Sequence, residues 1–237
     1  MARRVSHSLL DPLLLPWVAP IYAALRIPRG FPPEGIVIIG HLIAAAGAFG
    51  FAYATSYWWA GVLAAFAVAG NHLADMVDGT HARRTGQCRN GGELLDHFAD
   101  PLSFSYWMVG IAVASGRLDL GLVTVICVYA TAVLTNIKAK ITGEFSLARF
   151  GPTEFKVLLV LFALALAASC GVASARWSPA RIAESVLWAF SVVGVVQLIV
   201  LLVRSVREVN ASRTAADTSD WQLAGRAPDA PPKDPTA

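Results

Sequence analysis

Four aspartates occur close together in the sequence, in two pairs: Asp75 with Asp78, and Asp96 with Asp100. The first pair is three residues apart and the second four apart, so in helices each pair lies on one face. Carboxylate oxygens are hard ligands that favour Mg²⁺ or Mn²⁺, and four carboxylates can hold two such ions if at least one of them bridges. Two ions held in this way stabilise the attacking and the leaving oxygen of a displacement at phosphorus. The spacing therefore predicts a two-metal site, with Mg²⁺ or Mn²⁺ as the cofactor, that acts on a phosphate ester.

Small and basic residues adjoin these aspartates. Gly79 and Ala82 keep the helix surface beside Asp78 small, so that a nucleotide base or a phosphate can approach the backbone. Arg83 can offer its planar guanidinium group to a diphosphate. Gly92 lets the chain turn into the next helix and expose its N-terminal amide groups to an anion. These residue types favour the binding of a nucleoside diphosphate beside the metal ions.

The segments that carry these residues are strongly apolar. The chain has 237 residues, of which 56% are hydrophobic and 15% charged, and its mean hydropathy is +0.56, whereas soluble domains contain about 25% charged residues. Backbone groups in hydrocarbon must pair within their own segment, so apolar stretches of this length predict helices. We therefore predict an all-α integral membrane protein with six transmembrane helices. The six stretches are 35–53, 57–76, 102–114, 118–137, 157–173 and 182–203.

The third stretch, 102–114, is shorter than the roughly 20 residues that a spanning helix needs. It becomes long enough if its helix begins near Gly92, which places Asp96 and Asp100 inside a membrane helix. Unpaired carboxylates at that depth cost several kcal/mol. Aspartates at helix ends that face cytoplasmic water are the alternative, and they explain one such residue better than four. The cluster therefore requires a common partner, which the predicted metal ions supply.

The chain divides into three parts. Residues 1–34 mix arginines and prolines with apolar residues and predict an N-terminal interfacial or juxtamembrane segment. Residues 35–206 form the six-helix domain, and residues 207–237, polar and rich in Pro and Ala, predict a disordered cytoplasmic tail. Six spans place most basic residues on one side, so the positive-inside rule predicts a multi-pass protein of the cell membrane with both termini and the site in the cytoplasm. Those residues are Arg83, Arg84, Arg89, Lys138, Lys140, Arg149, Arg204 and Arg207.

The net charge of +3 follows from this topology and suits contact with anionic membrane lipids. No basic patch with interleaved aromatic residues is visible, which argues against nucleic-acid binding. Cys88, Cys127 and Cys170 are widely spaced and indicate neither a zinc site nor a disulfide framework. Membrane lipids are therefore the partners that the composition favours.

The aspartates belong to the pattern DxxDGxxAR, then eight residues, then GxxxDxxxD, which runs from Asp75 to Asp100. This pattern resembles the signature of CDP-alcohol phosphotransferases, also called the CDP-alcohol phosphatidyltransferase family. The resemblance implies a six-helix membrane enzyme, usually a homodimer, whose site opens to the cytoplasm. It also implies that the four aspartates bind the metal ions and that Asp100 is the catalytic base. The residues that would border the CDP moiety are Gly79, Ala82, Arg83 and Gly92.

Two shorter segments, ARRTG from Ala82 and GELLDH from Gly92, resemble the choline and ethanolamine phosphotransferase branch of that family. The likeness implies that His97 orients or assists the base, and a histidine that caps a polar pocket is the alternative. The chain is shorter than the enzymes of that branch. In addition, the residues PEGI at 33–36 stand where the family commonly has Pro-Asn-x-Ile-Thr.

The function implied is the metal-dependent transfer of a phosphoalcohol group from a CDP-alcohol to an acceptor alcohol, with release of CMP, in phospholipid biosynthesis. Either CDP-diacylglycerol donates to a small polar alcohol, or a CDP-aminoalcohol donates to diacylglycerol, so one substrate is a lipid in both arrangements. A membrane ion or metal transporter would also carry intramembrane aspartates, but it does not require Gly79, Ala82, Arg83 and Gly92. A structural membrane protein without activity is a third interpretation, which the complete motif disfavours.

Overall fold

The structure, a computed structural model, describes residues 3–6, 8–147, 151–171 and 178–212 of the chain. Helices account for nearly all of this part, and two four-residue strands accompany them. In chain order the elements are β1 (Arg3–Ser6), α1 (Asp11–Leu25), α2 (Pro33–Tyr53), α3 (Trp58–Thr85), α4 (Asn90–Ser115), α5 (Leu118–Thr142), β2 (Glu144–Leu147), α6 (Pro152–Gly171) and α7 (Pro179–Ala211).

Proline and glycine mark the ends of these helices. Proline lacks an N–H and has a φ suited to the first helical turn, and it stands in the first turn of α1, α2, α6 and α7. Glycine tolerates the left-handed conformation that closes a helix. Gly86, Gly116 and Gly143 adopt it, with φ of 72°, 71° and 70°, at the ends of α3, α4 and α5. The local sequence therefore sets most of the helix boundaries.

Five of the described helices, α2, α3, α5, α6 and α7, are long and apolar enough to cross a membrane. This confirms the prediction of an all-α integral membrane fold but not the count of six. The predicted third span corresponds to α4, whose 26 residues reach about 39 Å, more than the roughly 30 Å of a bilayer core. Its first half contains Glu93, Asp96 and Asp100. These charged residues explain why α4 is not among the five helices that are apolar enough to cross a membrane.

The helices alternate in direction, so their ends meet in two groups. At one end the Thr55 hydroxyl, just after α2, donates to the carbonyl of Ala114 in α4, over 3.2 Å. At the other end Arg89 Nη1, just before α4, lies 3.7 Å from Glu34 Oε1 in the first turn of α2. This second end holds the aspartate motif and is called the motif end below. It also holds Lys138 near the end of α5, which pairs with Glu208 of α7.

Large side chains and close glycine contacts build the core between α2, α3, α4 and α6. Trp107 is fully buried, and its indole N–H donates to the carbonyl of Ala44 over 3.0 Å. Gly110 of α4 faces α2 so closely that a Cβ there would lie 2.4 Å from the carbonyl oxygen of Ala48. Such contacts bring membrane helices together where lipid supplies no hydrophobic drive. They fix α4 against α2, and with it the register of Asp96 and Asp100.

The N-terminal segment packs onto the motif end. Helix α1 has 15 residues, too few to cross a membrane, and contains Pro16 and Pro20. The carboxylate of Glu154 in α6 accepts hydrogen bonds from the Ser8 hydroxyl, over 2.6 Å, and from the Leu9 N–H, over 2.7 Å. Strand β1 pairs in parallel with β2, a contact that the sequence did not predict. An interfacial position for residues 1–34 stays a prediction.

Two further predictions concern residues at the limits of the description. Helix α7 continues to Ala211, so the first five residues of the predicted tail, 207–211, are helical. The remainder of that tail from 213 to 237 lies outside the described residues, as does Arg149, one of the basic residues predicted on the cytoplasmic side.

Candidate active site

Asp75 of α3 and Asp100 of α4 meet at a shared cation. The ammonium group of Lys156, in the first half of α6, lies 3.0 Å from Asp75 Oδ2 and 3.1 Å from Asp100 Oδ1. The Lys156 side chain is only 2% exposed, whereas the two aspartate side chains are 28% and 29% exposed. The lysine therefore lies in the protein interior, and the two carboxylates lie between it and the accessible surface.

Asp78 is the most buried of the four aspartates, at 7% exposure. One of its carboxylate oxygens accepts a hydrogen bond from the backbone N–H of Gly79. Asp75 and Asp100 are both near enough to Asp78 to interact with it electrostatically. Asp96, one turn before Asp100 on α4, is partly buried. The structure thus brings Asp75, Asp78 and Asp100, from two helices, into one acidic region.

The fit of this region to divalent metal ions rests on its donor set. Its ligand atoms are carboxylate oxygens, the type that Mg²⁺ and Mn²⁺ prefer. The ammonium of Lys156 between two of the carboxylates shows that the region attracts a cation. Within the described part of the chain, no three His, Cys, Asp or Glu side chains stand close enough to hold a metal ion as they lie.

Arg83 lies over the small surface that Gly79 provides. A Cβ on Gly79 would be 3.2 Å from Nη1 of Arg83, so the guanidinium group rests against the helix backbone. Arg83 also interacts electrostatically with Asp78. Ala82, the preceding residue, is partly exposed. The arrangement presents a cation and a stretch of accessible backbone next to the aspartates.

Gly92 stands in the first turn of α4 and faces α2. A Cβ there would be 3.7 Å from Glu34 Oε1, and the other carboxylate oxygen of Glu34 is buried with no hydrogen-bond partner in the described structure. Glu34 belongs to the PEGI segment that departs from the family pattern. The face of α4 on which Gly92 lies thus packs toward a carboxylate of α2 that the motif alone does not predict.

His97 lies on the side of α4 that faces β2. Its ring centroid is 4.7 Å from that of Phe145, and its Nε2 is 3.8 Å from Glu93 Oε1, one turn earlier. These contacts suit either of the roles considered for His97, so its part in catalysis stays a prediction.

Two residues of this region were missed by the sequence analysis. Lys156 directly precedes the apolar stretch 157–173, and intramembrane carboxylates require a nearby cation, which is the signal that points to it. His81 occupies a variable position of the motif, yet it is fully buried. Its Nδ1 lies 2.8 Å from the Tyr22 hydroxyl and its Nε2 2.9 Å from the Phe31 carbonyl. No sequence signal identified that role.

Comparison with known proteins decides the family. The family model of the CDP-alcohol phosphatidyltransferases matches residues 35–196, which include all four aspartates and Lys156. The chain belongs to the CDP-alcohol phosphatidyltransferase family. As the name states, members of this family transfer a phosphate group that carries an alcohol substituent. The family resemblance drawn from the motif is thereby confirmed.

Two members of the CDP-alcohol phosphatidyltransferase family are similar to this chain. The phosphatidylinositol phosphate synthase of Mycolicibacterium smegmatis is 34% identical over 122 residues, which are 50% of this chain and 52% of the relative. The chain thus matches about half the length of that curated relative. The crystal structure of Mycobacterium tuberculosis phosphatidylinositol phosphate synthase with CDP-DAG bound superposes with a TM-score of 0.60, at 24% identity, over 86% of this chain and 98% of that one. The second likeness shows that the fold is shared.

Proposed function

We propose that this protein is a metal-dependent membrane enzyme that transfers a phosphoalcohol group from a CDP-alcohol to an acceptor alcohol and releases CMP, in phospholipid biosynthesis. The observation that carries the proposal is the meeting of Asp75 and Asp100, from two helices, at the buried Lys156, with Asp78 and Arg83 beside them. Carboxylates are the ligands that Mg²⁺ and Mn²⁺ prefer, and a guanidinium group beside them suits a diphosphate. Family membership of residues 35–196 supports it.

We propose CDP-diacylglycerol as the donor and a small polar alcohol as the acceptor. The observation that favours this arrangement is the crystal structure of the Mycobacterium tuberculosis relative, which has CDP-DAG bound. The alternative arrangement, with a CDP-aminoalcohol donor and diacylglycerol acceptor, has only the short segments around Ala82 and Gly92 in its favour. We further propose a homodimer in the cell membrane with the motif end in the cytoplasm.

In the proposed mechanism Asp75, Asp78, Asp96 and Asp100 hold two Mg²⁺ or Mn²⁺ ions. These ions supply charge neutralisation for the diphosphate. Arg83 binds a phosphate oxygen of the donor, and the backbone at Gly79 and Ala82 leaves room for the CDP moiety. Asp100 accepts the proton of the acceptor hydroxyl, whose oxygen attacks the phosphorus attached to the alcohol. A new phosphorus–oxygen bond forms, the bond from that phosphorus to CMP breaks, and CMP leaves.

Ion or metal transport is the competing function, because intramembrane carboxylates also mark ion pathways. The two functions differ in one direct measurement, which is whether purified protein in lipid nanodiscs releases CMP from a CDP-alcohol. We expect CMP release from CDP-diacylglycerol in the presence of Mg²⁺ or Mn²⁺ and an alcohol acceptor. A panel of acceptors and a CDP-aminoalcohol with diacylglycerol would identify the substrates.

The aspartates are tested by four single substitutions: Asp75→Asn, Asp78→Asn, Asp96→Asn and Asp100→Asn. Each should lower turnover at least roughly a hundredfold while the protein still inserts and folds. Asp119→Asn is a matched control, because Asp119 pairs with Arg117 at the opposite end of the bundle. Chelation should abolish activity, and Mg²⁺ or Mn²⁺ should restore it. Wild-type turnover in two of the four variants, or full activity after exhaustive chelation, would disprove the two-metal site.

A further inference from the structure

The amino group of Lys156 is enclosed by groups from two other helices. Asp75 Oδ2 of α3 and Asp100 Oδ1 of α4 lie 3.0 Å and 3.1 Å from it. The ring of Phe104, one turn beyond Asp100, has its centroid 5.5 Å away. With 2% of its side chain exposed, Lys156 has no route to water as it lies, so its charge is balanced within the site. Asp75 and Asp100 are called the acidic pair below.

The acidic pair and the lysine depend on each other. Two carboxylates brought together at membrane depth repel, and a buried ammonium group is costly unless it is paired. Lys156 relieves both costs without any bound ion. Lys156 contacts one oxygen of each carboxylate, Asp75 Oδ2 and Asp100 Oδ1, so a divalent cation bound by the same two side chains would lie close to the ammonium group, and like charges that close repel strongly in a medium of low dielectric. The lysine and a metal ion therefore compete for the acidic pair.

We propose that Lys156 is an internal counter-ion that holds the acidic pair in the metal-free protein and is displaced from it when a divalent cation binds. This rests on the proposed function, since it assumes that Asp75 and Asp100 are metal ligands. Lys156 thereby acts as a positioning residue. It keeps the two carboxylates close together before the ion binds. It also lowers the affinity of the site for the ion.

The test is a Mn²⁺ titration of the full chain in lipid nanodiscs, followed by electron paramagnetic resonance. Lys156→Met removes the charge and keeps the length of the side chain. We expect it to bind Mn²⁺ at least about tenfold more tightly than the wild type. Its thermal midpoint without metal should be lower, and Mn²⁺ should raise that midpoint more than it does in the wild type.

Two matched variants separate competition from a general effect of charge. Lys156→Arg keeps a cation at the acidic pair and should bind Mn²⁺ with an affinity near that of the wild type. Lys138→Met removes a lysine of α5 that pairs with Glu208 of α7 and not with the acidic pair. It should leave Mn²⁺ affinity unchanged. A gain in affinity as large in Lys138→Met as in Lys156→Met would overturn the proposal.

The outcomes for the proposal and for the proposed function differ. If the wild-type protein binds no Mn²⁺, both the metal site and the counter-ion role are refuted. If the wild-type protein binds Mn²⁺ and Lys156→Met binds it equally or more weakly, the counter-ion role is refuted, whereas the metal site is not. A Lys156→Met protein that is folded with Mn²⁺ and unfolds on chelation would support it, because the ion then replaces the missing cation.

If Lys156→Met folds neither with nor without Mn²⁺, the displacement is tested on the wild-type protein instead. The Lys156 side chain is buried, so an amine-reactive reagent should modify it slowly in protein without added Mn²⁺, as measured by mass spectrometry. Displacement by Mn²⁺ should increase its rate of modification severalfold, whereas the rate at exposed Lys140 should not change. An unchanged rate at Lys156 would refute the displacement.

Discussion

The hydroxyl of Tyr22 lies 2.8 Å from Nδ1 of His81, and this contact joins α1 to the aspartate motif on α3. The other ring nitrogen of His81 lies 2.9 Å from the Phe31 carbonyl oxygen, just before α2. Because a carbonyl only accepts, Nε2 donates to it, and in that tautomer Nδ1 accepts from the Tyr22 hydroxyl. The guanidinium group of Arg84 lies over the Tyr22 ring, 4.9 Å from its centroid. One buried histidine thus fixes three segments around the site.

We therefore expect Tyr22→Phe to destabilise the protein by about 1–3 kcal/mol, because it leaves a buried ring nitrogen of His81 without its donor. The ring and its contact with Arg84 are retained, so the hydrogen bond alone is tested. Tyr53→Phe is the control, since Tyr53 is exposed near the opposite end of the bundle and a substitution there should cost less than about 0.5 kcal/mol. Unfolding in detergent provides the measurement. Equal stability of the two variants would contradict the bridging role of His81.

The sequence predicted the parts of the site that depend on spacing along one helix. Asp75 and Asp78 share a helix because apolar residues surround them, and the helix that carries Asp100 begins two residues before Gly92, close to where the length argument placed it. Helix ends at Gly86 and Gly143 likewise follow from residue type. These features are local, so propensity and periodicity are sufficient to find them.

Features that depend on the packing of distant segments were not predicted. The contact of Lys156 with Asp75 joins residues 81 positions apart, and nothing in periodicity states which helices are neighbours. Strands β1 and β2 pair across most of the chain length. Length and apolar composition give five spans among the described helices, whereas six were predicted. Helix α4 makes the difference, because its carboxylates lower its apolar content. Function and simple composition rules conflict at that helix.

Gly79→Ala tests the position of Arg83. A Cβ at residue 79 would lie 3.2 Å from Arg83 Nη1, so the flexible guanidinium group must move. We expect the KM for the CDP-alcohol to rise about tenfold with a smaller change in kcat, because ground-state binding of the donor is what the shift weakens. Alanine is the better helix former by about 0.5–1 kcal/mol, so the variant should remain folded.

Gly30→Ala is the control for this substitution, because a Cβ at residue 30, between α1 and α2, meets nothing within 4 Å. It should leave KM and kcat unchanged. A Gly79→Ala enzyme with wild-type KM would show that Arg83 does not bind the donor from the position it occupies here.

Helix α4 decides the membrane topology. If it crosses the membrane, six spans put both termini on one side; five spans would put them on opposite sides. We expect a cysteine at Asn90, before the aspartates, and one at Ser115, at the other end of α4, to face opposite sides. In a Cys-free background and intact cells, an impermeant thiol reagent should label Ser115→Cys and not Asn90→Cys. Inverted vesicles should give the reverse. Labelling of both from one side would exclude α4 as a span.

Pro101 directly follows Asp100 in α4, and the helix continues beyond it to Ser115. Proline lacks an N–H, so the carbonyl of His97 loses its helical partner, and the ring crowds that carbonyl. A kink is expected at this point. The carbonyl of Pro101 accepts from the Ser105 hydroxyl over 2.8 Å, but the carbonyl that loses its helical N–H partner is one turn earlier, at His97. Any bend is therefore expected on the N-terminal side of Pro101, where Asp100 lies.

We expect Pro101→Ala to straighten α4 and turn the Asp100 carboxylate away from the acceptor hydroxyl, while Asp75, Asp78 and Asp96 keep their places. Turnover should therefore fall by a larger factor than Mn²⁺ affinity, and both are measured on the same nanodisc preparation. Pro179→Ala removes a proline from the first turn of α7, at the opposite end of the bundle, and should change neither value. A routine membrane-helix proline, whose freed carbonyl is satisfied by neighbouring groups, is the alternative. Under that alternative Pro101→Ala keeps wild-type kcat, and the kink takes no part in catalysis.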